Sequence, residues 1–338
     1  MRVALDAMGG DFGPKVTVQG AVLASKELKV GILLVGKESI IQEELKKYDL
    51  SQAEVSIVDA AEAIQMGEGL LSFRRKKRSS ILVGIQLVKE SKADAFVSTG
   101  NTGAVVYMSR KVLGSLEGVE RPALSLLVPS RIGSPTLLVD VGANVNCQPH
   151  HLLQFAVMGR IFMESVMGIP DPKIALMSIG EEQGKGNDLT KQVYEKLAAS
   201  SMNFIGNVEG KDIYSGISDV IVSDGFTGNV ALKVTEGVVD NFFQMARHEI
   251  MRNIFAKIGF ILMKRNLKKL YKKVDYVEYG GAQLLGLNGV CIIGHGRSNP
   301  KAIKNAVKLA RDFVRGRVLE KIKNEIPKHS QFLNGVKT

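Results

Sequence analysis

The stretch Ser98-Thr99-Gly100-Asn101-Thr102-Gly103-Ala104 follows the apolar run Ala93 to Val97 and precedes Val105 to Met108. A buried strand, a turn with two glycines and a helix start bring backbone N–H groups and small hydroxyls to one edge of a sheet, which suits a phosphate-sized anion. The pattern returns at Asp224-Gly225-Phe226-Thr227-Gly228-Asn229 behind Asp219 to Ser223, and more loosely at Asp140-Val141-Gly142-Ala143-Asn144 behind Thr136 to Val139. One such turn is weak evidence, because glycine serves wherever φ is positive. Three of them constrain the fold and the chemistry together.

Around these loops strands and helices alternate. Arg2 to Asp6 reads as a first strand running into Ala7-Met8-Gly9-Gly10-Asp11, and Pro14 suits the first turn of a helix reaching Leu28. Val30 to Val35, Val55 to Val58, Pro122 to Val128, Lys173 to Ile179 and Phe204 to Val208 read as further strands, with helices at Ile40 to Tyr48 and Leu189 to Ala199. The alternation predicts an α/β fold with a doubly wound, largely parallel sheet. A single domain is expected over 1–326, with a helical hairpin inserted at about 240–275 and a tail over 327–338. In such a sheet the ligand crevice lies outside the strands' C-terminal ends, so every glycine loop is expected at one edge.

The 338-residue chain carries a net charge of +11, which predicts an acidic partner: nucleic acid, anionic lipid or an acidic protein. From Arg247 to Lys273 nine basic residues face the single acid Glu249, a net of +8. Ile250, Ile254, Ile258 and Leu262 recur there every fourth residue, a stripe that fits a core or subunit contact and equally an anionic bilayer surface. A second basic cluster, Arg74-Arg75-Lys76-Lys77-Arg78, precedes a helix Ile81 to Lys89 with Ser79 or Ser80 as its cap. It reads as a solvated loop or as the approach to an anion, and composition leaves both open. The N-terminus meets a carboxylate and paired glycines too soon for a signal peptide, and no charge-free run approaches the roughly 20 residues of a membrane span. A cytoplasmic protein with two core thiols, Cys147 and Cys291, is expected.

Gly184-Lys185-Gly186-Asn187 lies in a turn behind a strand, but the glycine spacing is too short for a Walker loop and Gly186 stands where Ser or Thr would hold magnesium. Lys185 there offers a mobile cation to an oxyanion. His295, between Gly294 and Gly296 after an apolar strand, is a candidate acid or base. Cys147, His150 and His151 lack a second ligand pair, and adjacent histidines are expected to point apart on a helix, so neither metal nor cofactor is expected. An inventory of donors, hydroxyls, amides and cations aligns an anion and stabilises developing negative charge better than it makes a protein nucleophile.

Asp6-Ala7-Met8-Gly9-Gly10-Asp11, Arg74-Arg75-Lys76-Lys77, Gly100-Asn101-Thr102-Gly103-Ala104, Asp140-Val141-Gly142-Ala143-Asn144, Gly184-Lys185-Gly186-Asn187 and Asp224-Gly225-Phe226-Thr227-Gly228-Asn229 together resemble the phosphate acyltransferase family of bacterial phospholipid synthesis. The resemblance runs in order from Met1 to about Arg311. It implies transfer of a fatty acyl chain from acyl carrier protein to inorganic phosphate, giving acyl phosphate for glycerol-3-phosphate acylation by a downstream acyltransferase. It also implies a fold similar to isocitrate and isopropylmalate dehydrogenases, a homodimer and peripheral membrane association, with no nucleic acid. On that footing phosphate is expected among the N–H groups and hydroxyls of Asn101, Thr102, Thr227 and Asn229, with Lys185 and Arg75 neutralising it and His295 protonating the leaving thiolate. Asp6, Asp11, Asp140 and Asp224 are expected to orient loops, because a carboxylate facing phosphate repels it. A phosphotransacetylase-like enzyme using acyl-coenzyme A is the rival reading, and a non-catalytic membrane or nucleic-acid binder the rival of another class.

Overall fold

The computed structural model describes residues 1–274 and 276–329; for 264, 267–274, 276 and 277 the description covers the backbone only. The expected tail therefore lies outside the described residues from 330 onward. Strands are β1 (Arg2–Asp6), β2 (Gly31–Gly36), β3 (Val55–Asp59), β4 (Ala95–Ser98), β5 (Ala123–Val128), β6 (Thr136–Val139), β7 (Ile174–Met177), β8 (Phe204–Val208), β9 (Val220–Val222), β10 (Ala282–Leu285) and β11 (Val290–Ile293). Helices are α1 (Gly13–Leu28), α2 (Glu38–Leu45), α3 (Leu70–Arg75), α4 (Ser80–Lys89), α5 (Thr102–Leu113), α6 (Pro149–Phe162), α7 (Asp188–Ala198), α8 (Gly225–Arg252), α9 (Ile254–Val274), α10 (Pro300–Arg315) and α11 (Val318–Glu325).

All eleven strands join one sheet in the order β3-β2-β1-β4-β11-β10-β5-β6-β9-β7-β8. Side chains alternate across the pleat, so Val3, Leu5, Ala95 and Val97 enter a core under α1, α6, α7, α10 and α11, while Ala4 and Phe96 enter a second core under α3, α4 and α5. The chain builds these layers from strands too apolar to face water on either side, as parallel sheets require.

The sheet is not parallel throughout. β10 runs antiparallel to both β11 and β5, and β5 runs antiparallel to β6. Three reversals in succession are an odd number, so the parallel block β6-β9-β7-β8 points opposite to the block β3-β2-β1-β4-β11. This corrects the expectation of one shared edge. The loops after β1, β4 and β11 lie at one edge, and those after β6, β7 and β9 at the other. β10 turns the direction twice and so restores it; the net reversal comes from the antiparallel pairing of β5 with β6, two strands that were expected without that pairing.

The helical hairpin also begins earlier than expected. α8 is 28 residues long and starts at Gly225, and Asn253 breaks the chain before α9 by accepting the Phe255 N–H on its Oδ1 at 2.8 Å. The last helical stretch is divided into α10 and α11 after Arg315, where Gly316 packs so closely that a Cβ would sit 2.8 Å from the Ser165 carbonyl oxygen.

Candidate active site

α5 and α8 cover the same face of the sheet, and between them runs a cleft of about 900 Å³. Its floor is apolar, made by Leu124 and Leu126 of β5, Ala282 of β10, Ile293 of β11 and Val141. At one end stand Asp11, Gly100, Thr102, Gly103 and His295, and Gly142 and Asn229 also line it. The cleft thus spans the reversed strands and joins loops from opposite edges.

The β1 and β4 loops are built on a buried carboxylate. Asp6 is 1 % exposed; its Oδ2 accepts the Ser98 hydroxyl at 2.7 Å and its Oδ1 the Met8 N–H at 3.1 Å. Burial pushes its carboxyl above the usual range, against the pull of these donors. Ser98 Oγ in turn accepts the Gly100 N–H at 3.0 Å. A Cβ on Gly9 would sit 2.6 Å from Asp6 Oδ2 and 2.7 Å from the Gly100 nitrogen, so the close approach of the two loops demands glycine there.

Asn101 caps α5 by accepting the Ala104 N–H on Oδ1 at 3.0 Å, while its Nδ2 donates to the Met66 and Glu68 carbonyls at 2.8 and 3.1 Å. The side chain is therefore committed to holding the preceding loop. The Thr102 and Gly103 N–H groups, at the first two helical positions, have no hydrogen-bond partner among the described residues and open on the cleft. His295 stands beside them. Its Nδ1 accepts the Arg297 N–H at 3.1 Å, which leaves Nε2 as the proton-bearing nitrogen of the neutral ring.

The opposite loops are closed. Asp224 Oδ1 accepts the Phe226 and Thr227 N–H groups at 3.0 and 2.9 Å, and its Oδ2 accepts the Thr227 hydroxyl at 2.8 Å. The Gly225 N–H donates to the Asn144 carbonyl at 2.8 Å. Asp140, fully buried, accepts N–H groups from Leu124, Gly142, Ala143 and Asn144 and the Asn144 side-chain amide. Burial raises its carboxyl and these donors oppose the rise. Thr227 thus gives both its hydroxyl and its N–H to Asp224, and Asp140, Asn144 and Asp224 bind their own and adjoining loops.

A family model described as "Fatty acid synthesis protein" matches residues 1–321. The phosphate acyltransferase of Dictyoglomus thermophilum is 48% identical over 324 residues, covering 95% of this chain and 96% of that relative. That of Alkaliphilus oremlandii is 47% identical over 323 residues, covering 95% and 96%. The chain belongs to the phosphate acyltransferase family. Among solved structures, a phosphotransacetylase from Streptococcus pyogenes matches with a TM-score of 0.63 at 17% identity over 95% of this chain and 94% of that one. A 4-hydroxythreonine-4-phosphate dehydrogenase from Klebsiella pneumoniae matches at 0.50 and 12% identity over 93% and 98%. These two likenesses concern the fold alone.

The remaining expected site residues of this family member divide sharply. Lys185, Gly186 and Asn187 follow β7, two strands beyond β6, and do not line the cleft; Asn187 caps α7 by accepting the Thr190 N–H at 2.9 Å. Phe226 is exposed away from the cleft, and Gly225 and Gly228 are packing positions, the latter with Asp140 O only 2.0 Å from where a Cβ would lie. Gly10 and Asp11 join the β11 loop, the Asp11 N–H donating to the Gly296 carbonyl at 2.8 Å.

The basic cluster is largely paired. Lys76 meets Glu68 and the Ala63 carbonyl at 2.5 and 2.7 Å, Arg78 meets Asp59 at 3.3 Å, and Arg74 donates to the Tyr107 hydroxyl at 3.1 Å. The anions that sequence reading sought among these cations are mostly protein carboxylates. Arg75 does not line the cleft, whereas Arg74 reaches its wall through Tyr107.

His150 and His151, expected to diverge, both reach Glu120 at 2.6 and 3.0 Å, with ring centroids 4.2 Å apart. The Gln148 N–H donates to His151 Nδ1 at 2.8 Å, so the ring hydrogen sits on Nε2, the nitrogen that a metal would need bare. Burial pushes the Cys147 thiol up to about 11 and the Cys291 thiol to about 12, which removes both as nucleophiles.

Sequence reading missed Tyr107, Arg110 and Lys111, which line the cleft from α5, and Leu232, Lys233 and Glu236, which line it from α8. Their signal was present as helical spacing from Gly103 and Asn229, but only the cleft tells which stripe matters.

Proposed function

We propose that the protein transfers a fatty acyl group from acyl carrier protein to inorganic phosphate, releasing acyl phosphate for phospholipid synthesis. Membership of the phosphate acyltransferase family supports the reaction class. One observation carries the assignment to this cleft: two uncommitted N–H groups, on Thr102 and Gly103, open at a helix N-terminus onto an apolar floor. The N–H pair and the helix dipole suit phosphate, and the floor suits the acyl thioester.

A phosphate oxygen held there attacks the thioester carbonyl carbon. A C–O bond forms, the carbonyl π electrons move onto oxygen, and collapse of that oxyanion breaks the C–S bond. His295 lines this end of the cleft, and its Nε2–H supplies the proton to the leaving thiolate; solvent restores it. Asp6 and Asp11 act on the loops, and no step is routed through Lys185, Thr227 or a cysteine. Asn229 lines the far part of the cleft and contacts the donor.

The partners follow the distribution of charge. α9 carries no acidic residue over its whole length, and Phe255, Ile261 and Leu262 are 80%, 68% and 78% exposed beside Lys257 and Arg265. Such a face suits an anionic membrane surface. α8 instead mixes Lys233 with Glu236 and Asp240 around exposed Val230, Val234, Val238 and Phe242, a stripe suited to a second copy of the chain. Among the described residues no helix is long and apolar enough to cross a membrane. A cytoplasmic, peripherally attached homodimer that passes its product to a glycerol-3-phosphate acyltransferase accommodates these features. The relation to isocitrate and isopropylmalate dehydrogenases belongs to the same reading, supported by a large, mostly parallel sheet with an antiparallel centre.

The test mixes purified protein with palmitoyl-acyl carrier protein, with and without phosphate, and follows the carrier's free thiol. Phosphate-dependent release is expected. Release indifferent to phosphate, or none with either the carrier-protein or the coenzyme A donor, refutes the proposal, and a faster coenzyme A reaction would favour the phosphotransacetylase-like reading.

A further inference from the structure

The cleft has a second cationic feature, which the phosphate site does not use. Arg110 and Lys111, at the other end of α5, both line it and are exposed, and neither has an ion-pair partner among the described residues. Across the cleft Lys233 is paired with Glu236 at 2.6 Å, so its charge is already met. Eight residues of helix separate Thr102 from Arg110, about 12 Å along the axis. The Arg74 guanidinium, and after it Lys111, pull the Tyr107 phenol below its ordinary value, so positive potential is continuous along this wall.

From this juxtaposition of unpaired cations and an apolar floor, we infer that Arg110 and Lys111 hold the phosphate of the donor's phosphopantetheine arm, rigidly spaced by α5 from the attacking phosphate. The inference rests on the acyl-transfer reading and names the donor half of that same cleft. Cations in the last turn also complement the helix dipole, but that role needs no cleft and makes no distinction between ligands. A phosphate ester on pantetheine is common to acyl carrier protein and coenzyme A, and among the described residues the other cations at the cleft are already engaged, Lys233 with Glu236 and Arg74 with the Tyr107 hydroxyl. The pantetheine chain is longer than this separation when extended and so spans the two ends in a bent form. The floor between the ends carries no charge to compete.

The test titrates the whole protein with S-octanoyl-4′-phosphopantetheine and with S-octanoyl-pantetheine, which lacks the phosphate, and reads binding by calorimetry without turnover. The wild type is expected to prefer the phosphorylated ligand about tenfold, as for a hydrogen-bonded charge pair. In the Arg110→Ala, Lys111→Ala double variant the ratio should fall to about one, and Arg110→Lys with Lys111→Arg should restore most of it. A wild type without preference, or a variant that retains it, overturns the inference. With octanoyl-acyl carrier protein and octanoyl-coenzyme A as donors, equal weakening supports a subsite for the shared arm, whereas weakening confined to the carrier protein overturns it in favour of a protein-protein contact. If the binding preference stands but thiol release never depends on phosphate, the transfer reading fails and not the subsite.

Discussion

α5 and α8 begin alike in sequence, with Ser98-Thr99-Gly100-Asn101-Thr102-Gly103 before one and Ser223-Asp224-Gly225-Phe226-Thr227-Gly228 before the other. One cap residue separates their chemistry. Asn101 accepts a single N–H of its helix and spends its amide on a neighbouring loop, leaving two N–H groups open. Asp224 brings a full negative charge and satisfies two N–H groups and a hydroxyl, so the α8 N-terminus already holds its anion. The same strand, turn and helix pattern therefore leaves open N–H groups in one half of the sheet and makes a closed structural joint in the other.

Glycine replacements should separate the two halves most strongly. Gly228→Ala puts a Cβ 2.0 Å from the Asp140 carbonyl oxygen and is expected to cost about 3 kcal/mol or more in denaturant unfolding. Gly103→Ala meets only Asn101 Oδ1 at 3.3 Å and Phe73 at 3.9 Å and should stay within about 1 kcal/mol of wild type. Equal costs would erase the distinction.

Next in size, Thr102→Pro deletes one of the open N–H groups at a position where helices accept proline, behind an Asn101 whose φ of −60° and ψ of 111° already suit the residue before proline. It should fold normally and lose about tenfold to a hundredfold in kcat/KM for phosphate. An unchanged value would remove phosphate from the α5 end.

Asp224→Ala is expected to do the converse, costing about 1 kcal/mol of stability while the apparent KM for phosphate stays put. A raised KM with intact stability would make the α8 terminus the phosphate site after all.

The smallest effect lies on α6, on the face of the sheet opposite the cleft. Burial holds the His151 imidazole below its ordinary value, with Glu120 opposing, so the unfolded chain binds the proton more readily. Stability from this group is present above about pH 6.5 and is lost as pH falls through the folded value. His151→Asn, which can still accept the Gln148 N–H, should flatten the pH dependence of melting in that window; an unaltered slope would show that other groups set it.

Much was legible in the chain itself. Short apolar runs followed by glycine and polar residues announced β1, β4, β6 and β9, and Ser79 was named as a cap; Asn101, Asn187 and Asp224, expected among the binding residues, prove to be caps as well. The family resemblance rested on those same loops. Asp224 is satisfied within three residues, whereas Asp6 and Asp140 also take donors from Ser98 and Leu124, which no local reading supplies.

What the sequence alone determined, then, was each loop: its strand, its glycines, its cap and the first turn that follows. Only the tertiary structure decided which loops meet. β10 is too short and too glycine-bound to be recognised locally, and its two antiparallel pairings cancel; the antiparallel β5–β6 pair then reverses the far block and carries Lys185 away from Thr102, and the cleft over these central strands is lined by Arg110 and Lys111. Strand direction is a property of pairing between distant segments, and no window of sequence contains it.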